Sequence, residues 1–253
     1  MTQESPNEPP LPEHVAVIMD GNGRWAQRHG KTRIQGHRNG VKNVRQIVEC
    51  AREMGIPHLT LYAFSVENWN RPKTEVSALM TLLNTYLKRE LPNMMKNGIR
   101  LNVVGRIEDL PGRVRKHLRE TMAKTAGNSH LVLSLALNYG ARTELLDAVK
   151  SYLSQAGGNA DYAEDLDWPT FSSHLYTHGL PDPDLIIRTS GEHRLSNFLL
   201  LQGAYAEIYF TELCWPEFQK ADFQNAIRDY QGRERRYGRT GEQVRSSEEA
   251  LQP

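Results

Sequence analysis

The sequence has very little cysteine and no long apolar run. Cys50 and Cys214 are its two cysteines, far apart and outside any CxxC pattern, which argues against a disulfide framework or a zinc site and indicates a reducing compartment. No stretch approaches the ~20 apolar residues of a membrane-spanning helix. The polar, proline-rich residues 2–12 have neither the basic start nor the apolar run of a signal or transit peptide. We therefore expect a cytoplasmic protein.

An excess of charge of one sign is also lacking. The chain carries 31 Lys and Arg against 30 Asp and Glu, a net charge of +1, so its overall charge indicates neither a nucleic acid nor an anionic membrane as partner. Any positive site must be local. The 253 residues, of which 39% are hydrophobic and 24% charged, suffice to bury a sizeable core without disulfides or a structural metal.

Predicted strands and helices alternate along the chain. Strands are expected at 14–20, 58–65, 99–104, 131–137, 184–188 and 207–210, and helices at 40–54, 76–87, 114–124, 141–153, 168–176 and 221–237. This alternation predicts one α/β domain over residues 14–238, with a largely parallel six-stranded sheet flanked by helices. Residues 1–13 and 239–253 are predicted to be disordered tails, and 157–159 a surface loop.

Four loops follow predicted strands and therefore become the candidates for function. In open parallel sheets, ligands bind beyond the carboxyl ends of the strands. The loops concerned are 20–25, 65–71, 138–142 and 188–196. We expect their side chains to meet at one edge of the sheet.

The first loop, DGNGRW, partly matches a dinucleotide-binding fingerprint. Gly21, Gly23 and Ala26 follow a strand with the G-x-G-x-x-A spacing, which on its own is a weak signal. Asp20 would repel a bare pyrophosphate, and the bulky Arg24 and Trp25 occupy the place where the helix should start. No acid is placed at the end of the second strand for a ribose, so an NAD site is disfavoured.

Two other interpretations of the same loop remain. A phosphatase with Asp20 as nucleophile usually has a second acid two residues later, where this chain has Asn22. A plain Asn-Gly turn, with Asp20 capping backbone groups, requires no ligand. The functional alternative is a pyrophosphate site in which Mg²⁺ lies between Asp20 and the phosphates while glycine N–H groups and Arg24 donate hydrogen bonds. We favour the pyrophosphate site because it explains why an acid, Asp20, lies beside phosphates: it would bind the Mg²⁺ between them.

The loops after the second and fifth strands supply further polar groups. The loop SVENWNR (65–71) has two interpretations. Trp69 could anchor the loop in the core while Glu67 and Arg71 form a solvated ion pair, or the loop could form a polar wall above an apolar pocket. In the later loop, Arg188 and Arg194 flank a glycine turn near Ser196, which suits a second phosphate group, although the two arginines could also be ordinary surface residues.

Glu207 lies between apolar residues, where an unpaired carboxylate would be costly. It is therefore either salt-bridged in the core or a metal ligand. Two anion sites without a Walker lysine or a kinase signature argue against nucleotide hydrolysis.

Taken together, the loops resemble the cis-prenyltransferase family in its bacterial form. The matching stretches, in the family's order, are HVAVIMDGNGRWA (14–26), GHRNG (36–40), LYAFSVENWNRP (61–72), NYGAR (138–142), DLIIRTSGEHRLSNFLL (184–200) and AYAEIYFTELCWPEF (204–218). One departure is Ala141, where the family usually has glycine. The Asp-Asp-x-x-Asp motif of the all-helical trans-type synthases is absent from the sequence.

The resemblance implies a Mg²⁺-dependent enzyme that repeatedly condenses isopentenyl diphosphate onto farnesyl diphosphate with cis geometry. The implied product is undecaprenyl diphosphate, a lipid-carrier precursor for the bacterial cell wall. The resemblance also implies a homodimer, with 210–218 and 233–239 near the interface, and a transient contact with the inner face of the membrane for product release. No nucleic-acid partner is expected. A non-catalytic subunit of this fold would lack the Asp-Gly-x-Gly-Arg turn, which this chain retains.

The resemblance also implies roles for individual residues. Asp20 and Glu207 are the expected metal ligands, with His193 near the metal, and Asp20 and Asn68 are the expected catalytic residues. His37 is expected to assist departure of the diphosphate. The expected substrate-binding residues are Gly21, Asn22, Gly23, Arg24, Trp25, Arg33, His37, Ser65, Val66, Glu67, Trp69, Arg71, Arg188, Arg194, Leu195 and Ser196.

An apolar substrate tunnel is the last expectation. Faces of the predicted helix 76–87 and of the fourth strand would line it, with Leu131 as the floor that limits product length. The other proposed lining residues are Leu79, Met80, Leu83, Leu133, Leu135 and Leu137.

Overall fold

A computed structural model describes residues 10–156, 166–236, 238, 240 and 243. Its strands are β1 His14–Ile18, β2 His58–Ser65, β3 Ile99–Val104, β4 Leu131–Tyr139, β5 Leu185–Arg188 and β6 Glu207–Phe210. Its α-helices are α1 Asn22–Arg28, α2 Arg33–Met54, α3 Lys73–Lys96, α4 Gly112–Thr125, α5 Ala141–Ala156, α6 Trp168–Ser172 and α7 Lys220–Gln231.

The strands form one parallel sheet, as the alternation of elements predicts. The order is β3-β4-β2-β1-β5-β6, and every neighbouring pair is parallel. The chain leaves β1 towards β2 on one side and leaves β5 towards β6 on the other. Such a divergence opens a crevice at the carboxyl ends of two adjacent strands. The crevice between β1 and β5 is therefore the place where the topology favours a ligand.

Apolar strand residues place the main core against the helices. All of β1 is buried, and the apolar faces of α2, α3, α4 and α7 pack with the sheet into one cluster that includes Ile47, Leu87, Leu118 and Phe223. Burial of this kind is the dominant favourable contribution to folding. Cys50 and Cys214 are both free and buried.

Several element boundaries differ from the sequence-based predictions. α2 begins at Arg33 rather than at residue 40, because Thr32 and Gln35 form a capping box whose side chains satisfy the first backbone N–H groups. α3 extends past Pro92 to Lys96, which makes it longer than predicted. Among the described residues, α6 ends at Ser172 and α7 at Gln231, earlier than predicted.

Asp184 joins the segment before β1 to the segment after α7. Its Oδ2 accepts hydrogen bonds from the backbone N–H groups of Glu13 (2.8 Å) and His14 (3.2 Å). Its Oδ1 accepts from Arg235 at 2.6 Å. Pro12 is buried, so residues 12–13 of the predicted N-terminal tail pack against the domain instead of being disordered.

The remaining predictions for the tails and for the 157–159 loop concern residues 1–9, 157–159, 239, 241–242 and 244–253, which lie outside the described residues. Within the described part of the chain, none of the helices has the length and hydropathy needed to cross a bilayer.

Candidate active site

Asp20 and Arg188 meet in the crevice between β1 and β5. Arg188 is the last residue of β5 and pairs in register with Ile18, two residues before Asp20. The Arg188 guanidinium donates to Asp20 Oδ2 at 2.9 Å, and its side chain is only 3% exposed against 32% for Asp20. A buried guanidinium is stable only when its charge is matched. The pair therefore fixes the acid at the mouth of the crevice.

Gly21 allows the turn after Asp20 to pack closely. Its φ of 95° is in the left-handed region, and a Cβ there would lie 2.7 Å from Ser190 Oγ and 2.9 Å from Cys214 Cβ. α1 then begins at Asn22. The bulky residues that counted against a dinucleotide site thus lie within α1: Arg24 remains at the edge of the site, while Trp25 is buried against Ala26 and Cys214.

Two arginines share one carboxylate on the far side of the crevice. Arg24 contacts Asp20 at 3.2 Å and Glu192 at 2.8 Å. Arg194 pairs with the other oxygen of Glu192, and these two ion pairs hold the pKa of Glu192 below its usual range, the Arg194 hydrogen bond having the larger effect. Glu192 therefore serves as a shared counter-ion for Arg24 and Arg194.

The loop after β5 is bent so that Ser196 returns to Arg188. Ser196 Oγ accepts from Arg188 Nη1 at 2.7 Å. Ser190, Ser196 and Asn197 all have left-handed φ values, 83°, 48° and 61°, which non-glycine residues seldom adopt and which often mark functional loops. The predicted Arg188, Arg194 and Ser196 are thus brought into one loop cluster.

A second cluster surrounds Glu75, whose importance the sequence reading missed. Its side chain is 8% exposed and accepts from Arg33 (3.3 Å), His37 (3.2 Å) and Arg71 (3.2 Å). Burial lowers the pKa of His37, although the hydrogen bond to Glu75 opposes the shift. A signal was available: Glu75 falls on the apolar stripe of α3 beside Val76, where a carboxylate requires partners.

The loop after β2 is a short 3-10 helix, Val66–Asn70, anchored at both ends. Asn68 Oδ1 accepts from the backbone N–H of Ser65 at 3.2 Å. The indole N–H of Trp69 donates to Asn138 Oδ1 at 2.7 Å. Glu67 accepts from Asn197 at 2.8 Å, which joins this loop to the one after β5.

The GHRNG segment brings α2 against α1. A Cβ at Gly36 would lie 2.1 Å from the Asn22 carbonyl oxygen, and one at Gly40 would lie 2.1 Å from Asn22 Oδ1. Only glycine allows so close an approach. The two glycines therefore set the position of His37 at the edge of the site.

One cavity of about 650 Å³ joins these polar groups to an apolar interior. Its polar end includes most of the predicted site residues, namely Asp20, Gly21, Asn22, Gly23, Arg33, His37, Ser65, Glu67, Asn68, Arg71, Arg188 and Ser196. Its apolar part is formed by α2, α3, β2 and β4, through Val41, Val44, Leu61, Leu79, Met80, Leu83, Tyr86, Leu135 and Leu137.

Several predicted residues lie outside the cavity lining. Trp25 stacks on His29 at 4.4 Å, beneath Lys31, and Trp69 packs edge-on against Phe64. Arg24, Val66, Arg194 and Leu195 do not line the cavity either.

Leu131 and Leu133 are fully buried in the core instead of lining the cavity. Leu131 pairs with Ile99 at the start of β3, so it lies at the opposite end of the strand from the cavity's polar mouth. Leu131 does not line this cavity, and its role as the floor that limits product length stays a prediction.

Glu207 is not brought to Asp20. It begins β6 opposite Leu185, three residues before Arg188, or about 10 Å at the usual rise of a strand. Its carboxylate accepts from Arg233 at 2.7 Å, and His193 lies instead against Phe210, 4.7 Å between ring centres. Of the two interpretations of Glu207, the salt bridge is observed, and the expectation that it shares a metal with Asp20 of the same chain is not met.

Among the described residues, Asp20 is the carboxylate at the cavity mouth whose chemistry and position would suit Mg²⁺. Mg²⁺ is usually held by one or two carboxylates together with phosphate oxygens of a substrate. Asp20 is partly exposed and faces the cavity, whereas the described residues contain no group of three or more His, Cys, Asp or Glu that could hold a metal. An ion here would be bound jointly by Asp20 and a diphosphate.

The fold and the site define an α/β enzyme whose substrate combines an anionic head with an apolar chain. Cationic and hydroxyl groups surround the mouth of the crevice, and the same cavity continues between apolar helix and strand faces. Few substrate classes other than isoprenoid or fatty phosphates have both properties.

Known proteins agree with that class. The family described as putative undecaprenyl diphosphate synthase matches residues 18–238. The isoprenyl transferase of Geobacter sulfurreducens is 52% identical over 234 residues, covering 92% of this chain and 95% of that protein. Lavandulyl diphosphate synthase of Lavandula x intermedia, solved with dimethylallyl diphosphate, has a TM-score of 0.87 and 34% identity, covering 90% of this chain and 98% of its own.

A second solved structure is similar, a probable undecaprenyl diphosphate synthase of Campylobacter jejuni. Its TM-score is 0.75 at 35% identity, and the match covers 91% of this chain and 99% of that one. The chain belongs to the cis-prenyltransferase family, and it is a prenyltransferase.

Proposed function

We propose that this prenyltransferase elongates farnesyl diphosphate by repeated cis condensation with isopentenyl diphosphate, forming undecaprenyl diphosphate for bacterial cell-wall synthesis. The observation that carries the proposal is the continuity between the charged mouth at Asp20 and one apolar cavity. The description of the matching family and the dimethylallyl diphosphate bound to the plant relative support the substrate class.

The allylic diphosphate would bind at the β1 turn. Backbone N–H groups of Gly21, Asn22 and Gly23, with the guanidinium groups of Arg24 and Arg33, would contact its oxygens. When bound beside Asp20, Mg²⁺ would supply charge neutralisation for the leaving pyrophosphate. Arg33 is two-thirds exposed and held by Glu75, so it can approach the head group without losing its counter-ion.

Isopentenyl diphosphate would bind to Arg188, Arg194 and Ser196. Glu192 now bridges Arg24 and Arg194, and a diphosphate that displaced it would satisfy the same guanidinium groups. Because Arg188 is bound to both Asp20 and Ser196, its side chain would connect the two diphosphate sites. The reacting carbons would then lie side by side at the entrance of the cavity.

The chemistry follows from this placement. Breaking the allylic carbon–oxygen bond leaves a carbocation and pyrophosphate, whose developing charge the fixed cations stabilise. The double bond of isopentenyl diphosphate attacks the carbocation, and a proton is lost from the adduct. Asn68 is not a base at its own pKa, so it would act by orienting a water or a pyrophosphate oxygen, with Ser65, Glu67 and Arg71 beside it and His37 near the leaving group.

The apolar interior protects the carbocation and stores the product. Walls of leucine, methionine and valine exclude water that would otherwise hydrolyse the intermediate. The growing chain would extend between α2 and α3 on one side and β2 and β4 on the other, and the available volume would limit its length.

We further infer a homodimer that contacts the cytoplasmic membrane only transiently. On α5, the side chains of Leu146, Val149 and Leu153 follow one another at helical spacing and form an apolar stripe that the described residues leave exposed. Of the aromatic residues in the expected 210–218 interface, Trp215 and Phe218 are buried inside the chain, and Phe210 is partly exposed on β6 but less so than the three α5 side chains. The stripe on α5 is therefore the better candidate for the dimer contact.

Incorporation of radiolabelled isopentenyl diphosphate into an extractable product tests the proposal. With farnesyl diphosphate and Mg²⁺ the purified protein should form labelled polyprenyl diphosphate, and EDTA should stop it. Chromatography against chain-length standards then identifies the product. No incorporation by folded protein with Mg²⁺ would refute the proposed reaction, and a short product would refute the proposed chain length.

A further inference from the structure

The basic residues of this chain are unevenly distributed. Between Asp20 and Glu49 the sequence contains no acid at all, although the whole chain has a net charge of only +1. The same stretch contains Arg24, Arg28, Lys31, Arg33, Arg38, Lys42 and Arg45. It forms α1 and most of α2, so one side of the molecule is basic.

Only part of this charge is neutralised within the chain. Arg24 pairs with Asp20 and Glu192, Arg33 pairs with Glu75, and Arg45 pairs with Glu49. Among the described residues, no ion pair involves the other basic side chains on this side of the protein, which are exposed: Arg28, Lys31, Arg38, Lys42 and, at the start of α3, Lys73.

Arg38 and Lys73 border a groove between α2 and α3, on the outer side of these helices. Its volume is about 470 Å³, and its remaining lining is apolar or hydroxylic: Ile34, Thr74, Ser77, Ala78, Thr81 and Leu82. Leu82 also lines the central cavity. A single side chain thus borders both the external groove and the space that would hold the prenyl chain.

We propose that this groove and its basic rim dock the protein on an anionic phospholipid bilayer. Lys and Arg near a membrane surface are attracted by anionic head groups, and an apolar groove between them can accept acyl chains. The proposal rests on the proposed function, in which the product is a membrane lipid. Docking at this face brings the bilayer to within one side chain, Leu82, of the cavity.

Other occupants fit the groove less well. Single-stranded nucleic acids are bound by basic grooves that also offer aromatic rings for stacking, and no aromatic residue lines this groove. The apolar stripe on α5 is a poor membrane contact because the chain that follows it is acidic, with Asp161, Glu164, Asp165 and Asp167 and no Lys or Arg between 157 and 168.

Vesicle co-sedimentation tests the docking surface. Wild-type protein should bind phosphatidylglycerol-containing vesicles, bind pure phosphatidylcholine vesicles much less, and dissociate as salt is raised. The double variant Arg38→Glu/Lys73→Glu should bind the anionic vesicles about tenfold or more weakly. The matched control Lys96→Glu/Lys124→Glu makes the same charge change at exposed positions on α3 and α4 and should bind as wild type does.

Three results would overturn the proposal. The first is equal binding of the two double variants to the anionic vesicles, and the second is equal binding of the wild-type protein to both kinds of vesicle. The third is release of the wild-type protein from the anionic vesicles by excess inorganic pyrophosphate, which would place the contact at the active-site arginines. Condensation is measured in parallel in detergent, where both double variants should retain wild-type turnover. A protein that docks as described but never incorporates isopentenyl diphosphate would refute the proposed reaction and leave the docking surface standing.

Discussion

The Asp20 carboxylate lies 2.9 Å from the Arg188 guanidinium, at the carboxyl ends of two adjacent parallel strands. The contact places a negative charge where two anionic substrates would meet. Such an acid is useful only with a cation beside it, and we expect Asp20→Asn, which keeps the shape and removes the charge, to lower kcat at least about 100-fold.

The measurement is steady-state incorporation of labelled isopentenyl diphosphate, with thermal unfolding to show that the variant is folded. Asp229→Asn is the control, since Asp229 pairs with Arg233 on the surface of α7, and it should behave as wild type. Wild-type turnover by Asp20→Asn would exclude the proposed role of this carboxylate.

Glu75 opposes the effect of burial on the pKa of His37. Burial lowers the pKa of His37, and the hydrogen bond and charge of Glu75 raise it. Glu75→Gln removes the negative charge that favours the protonated ring, while burial and the neighbouring Arg33 and Arg71, which favour neutral imidazole, remain. The pKa of His37 should therefore fall further.

NMR titration of the His37 ring measures this shift directly, and the pH dependence of kcat/KM reports whether it affects turnover. Glu49→Gln, which removes a carboxylate from the outer side of α2, should leave the His37 titration unchanged. A rise in the pKa of His37 in Glu75→Gln would contradict the assignment.

Trp69 holds the short helix after β2 in place through one hydrogen bond. Its indole N–H donates to the buried Asn138, which adopts a left-handed φ of 49° and donates in turn to the Arg106 carbonyl at 2.9 Å. Trp69→Phe leaves the Asn138 carbonyl without its donor, at a cost of about 1–3 kcal/mol if water does not replace it. We expect faster hydrogen exchange across 65–71 and a higher KM.

Trp168→Phe is the matched control because Trp168 is an exposed residue of α6. It should leave exchange at 65–71 and KM unchanged. If Trp69→Phe also had no effect on either quantity, the hydrogen bond would not be what positions the loop.

His14 makes the stability of the fold depend on pH. It is buried between Pro181 and Thr60, with 2.7 Å contacts from its ring nitrogens to the Pro181 carbonyl and the Thr60 hydroxyl. Burial lowers its pKa from 6.5 to about 4. The unfolded chain therefore binds a proton at this histidine more readily than the folded chain does. Neutral His14 contributes fully to the free energy of unfolding above pH 6.5, and about 3 kcal/mol of that free energy is lost as the pH falls towards 4.

Urea unfolding between pH 4 and 8 measures that loss. His14→Gln removes the titrating ring and should flatten the pH dependence in this window, whereas His130→Gln, at an exposed position, should not. An unchanged slope in His14→Gln would assign the dependence to other groups.

The apolar stripe on α5 predicts the oligomeric state. Leu146→Glu/Leu153→Glu places charges on two residues that are 59% and 62% exposed in the single chain, so it should not disturb the core but should convert a dimer into a monomer. Light scattering coupled to size exclusion measures the mass. Lys96→Glu/Lys124→Glu serves as the control, and a variant that remains dimeric would move the interface elsewhere.

Local patterns predicted the sheet and the polar half of the site. Runs such as HVAVI and LIIR end where polar loops begin, and parallel pairing brings those loops to one edge, which is why Asp20, Asn68 and Arg188 could be placed together. Apolar periodicity begins only at Val41 and therefore places the start of α2 too late, although Thr32 and Gln35 carry a capping signal.

Long-range pairing could not be predicted. Glu75 binds Arg33 and His37, which belong to another helix. Asn138 binds Trp69, which lies in the loop after another strand. Leu131 and Leu135 are alike in the sequence, and only the register of β4 separates the core residue from the cavity residue. Glu207 shows the same limit, since its partner Arg233 comes from the segment after α7.

Asp184 has a consequence for how the chain can be rearranged. The Asp184 carboxylate accepts hydrogen bonds from Glu13 and His14 on one side and from Arg235 on the other. It thereby brings the first and the last described segments of the domain next to each other. The chain ends could therefore be moved to another loop without separating packed elements. A circular permutant joined between the segments that meet at Asp184, and opened at the turn between α4 and β4, retains every element of the active site on uninterrupted chain.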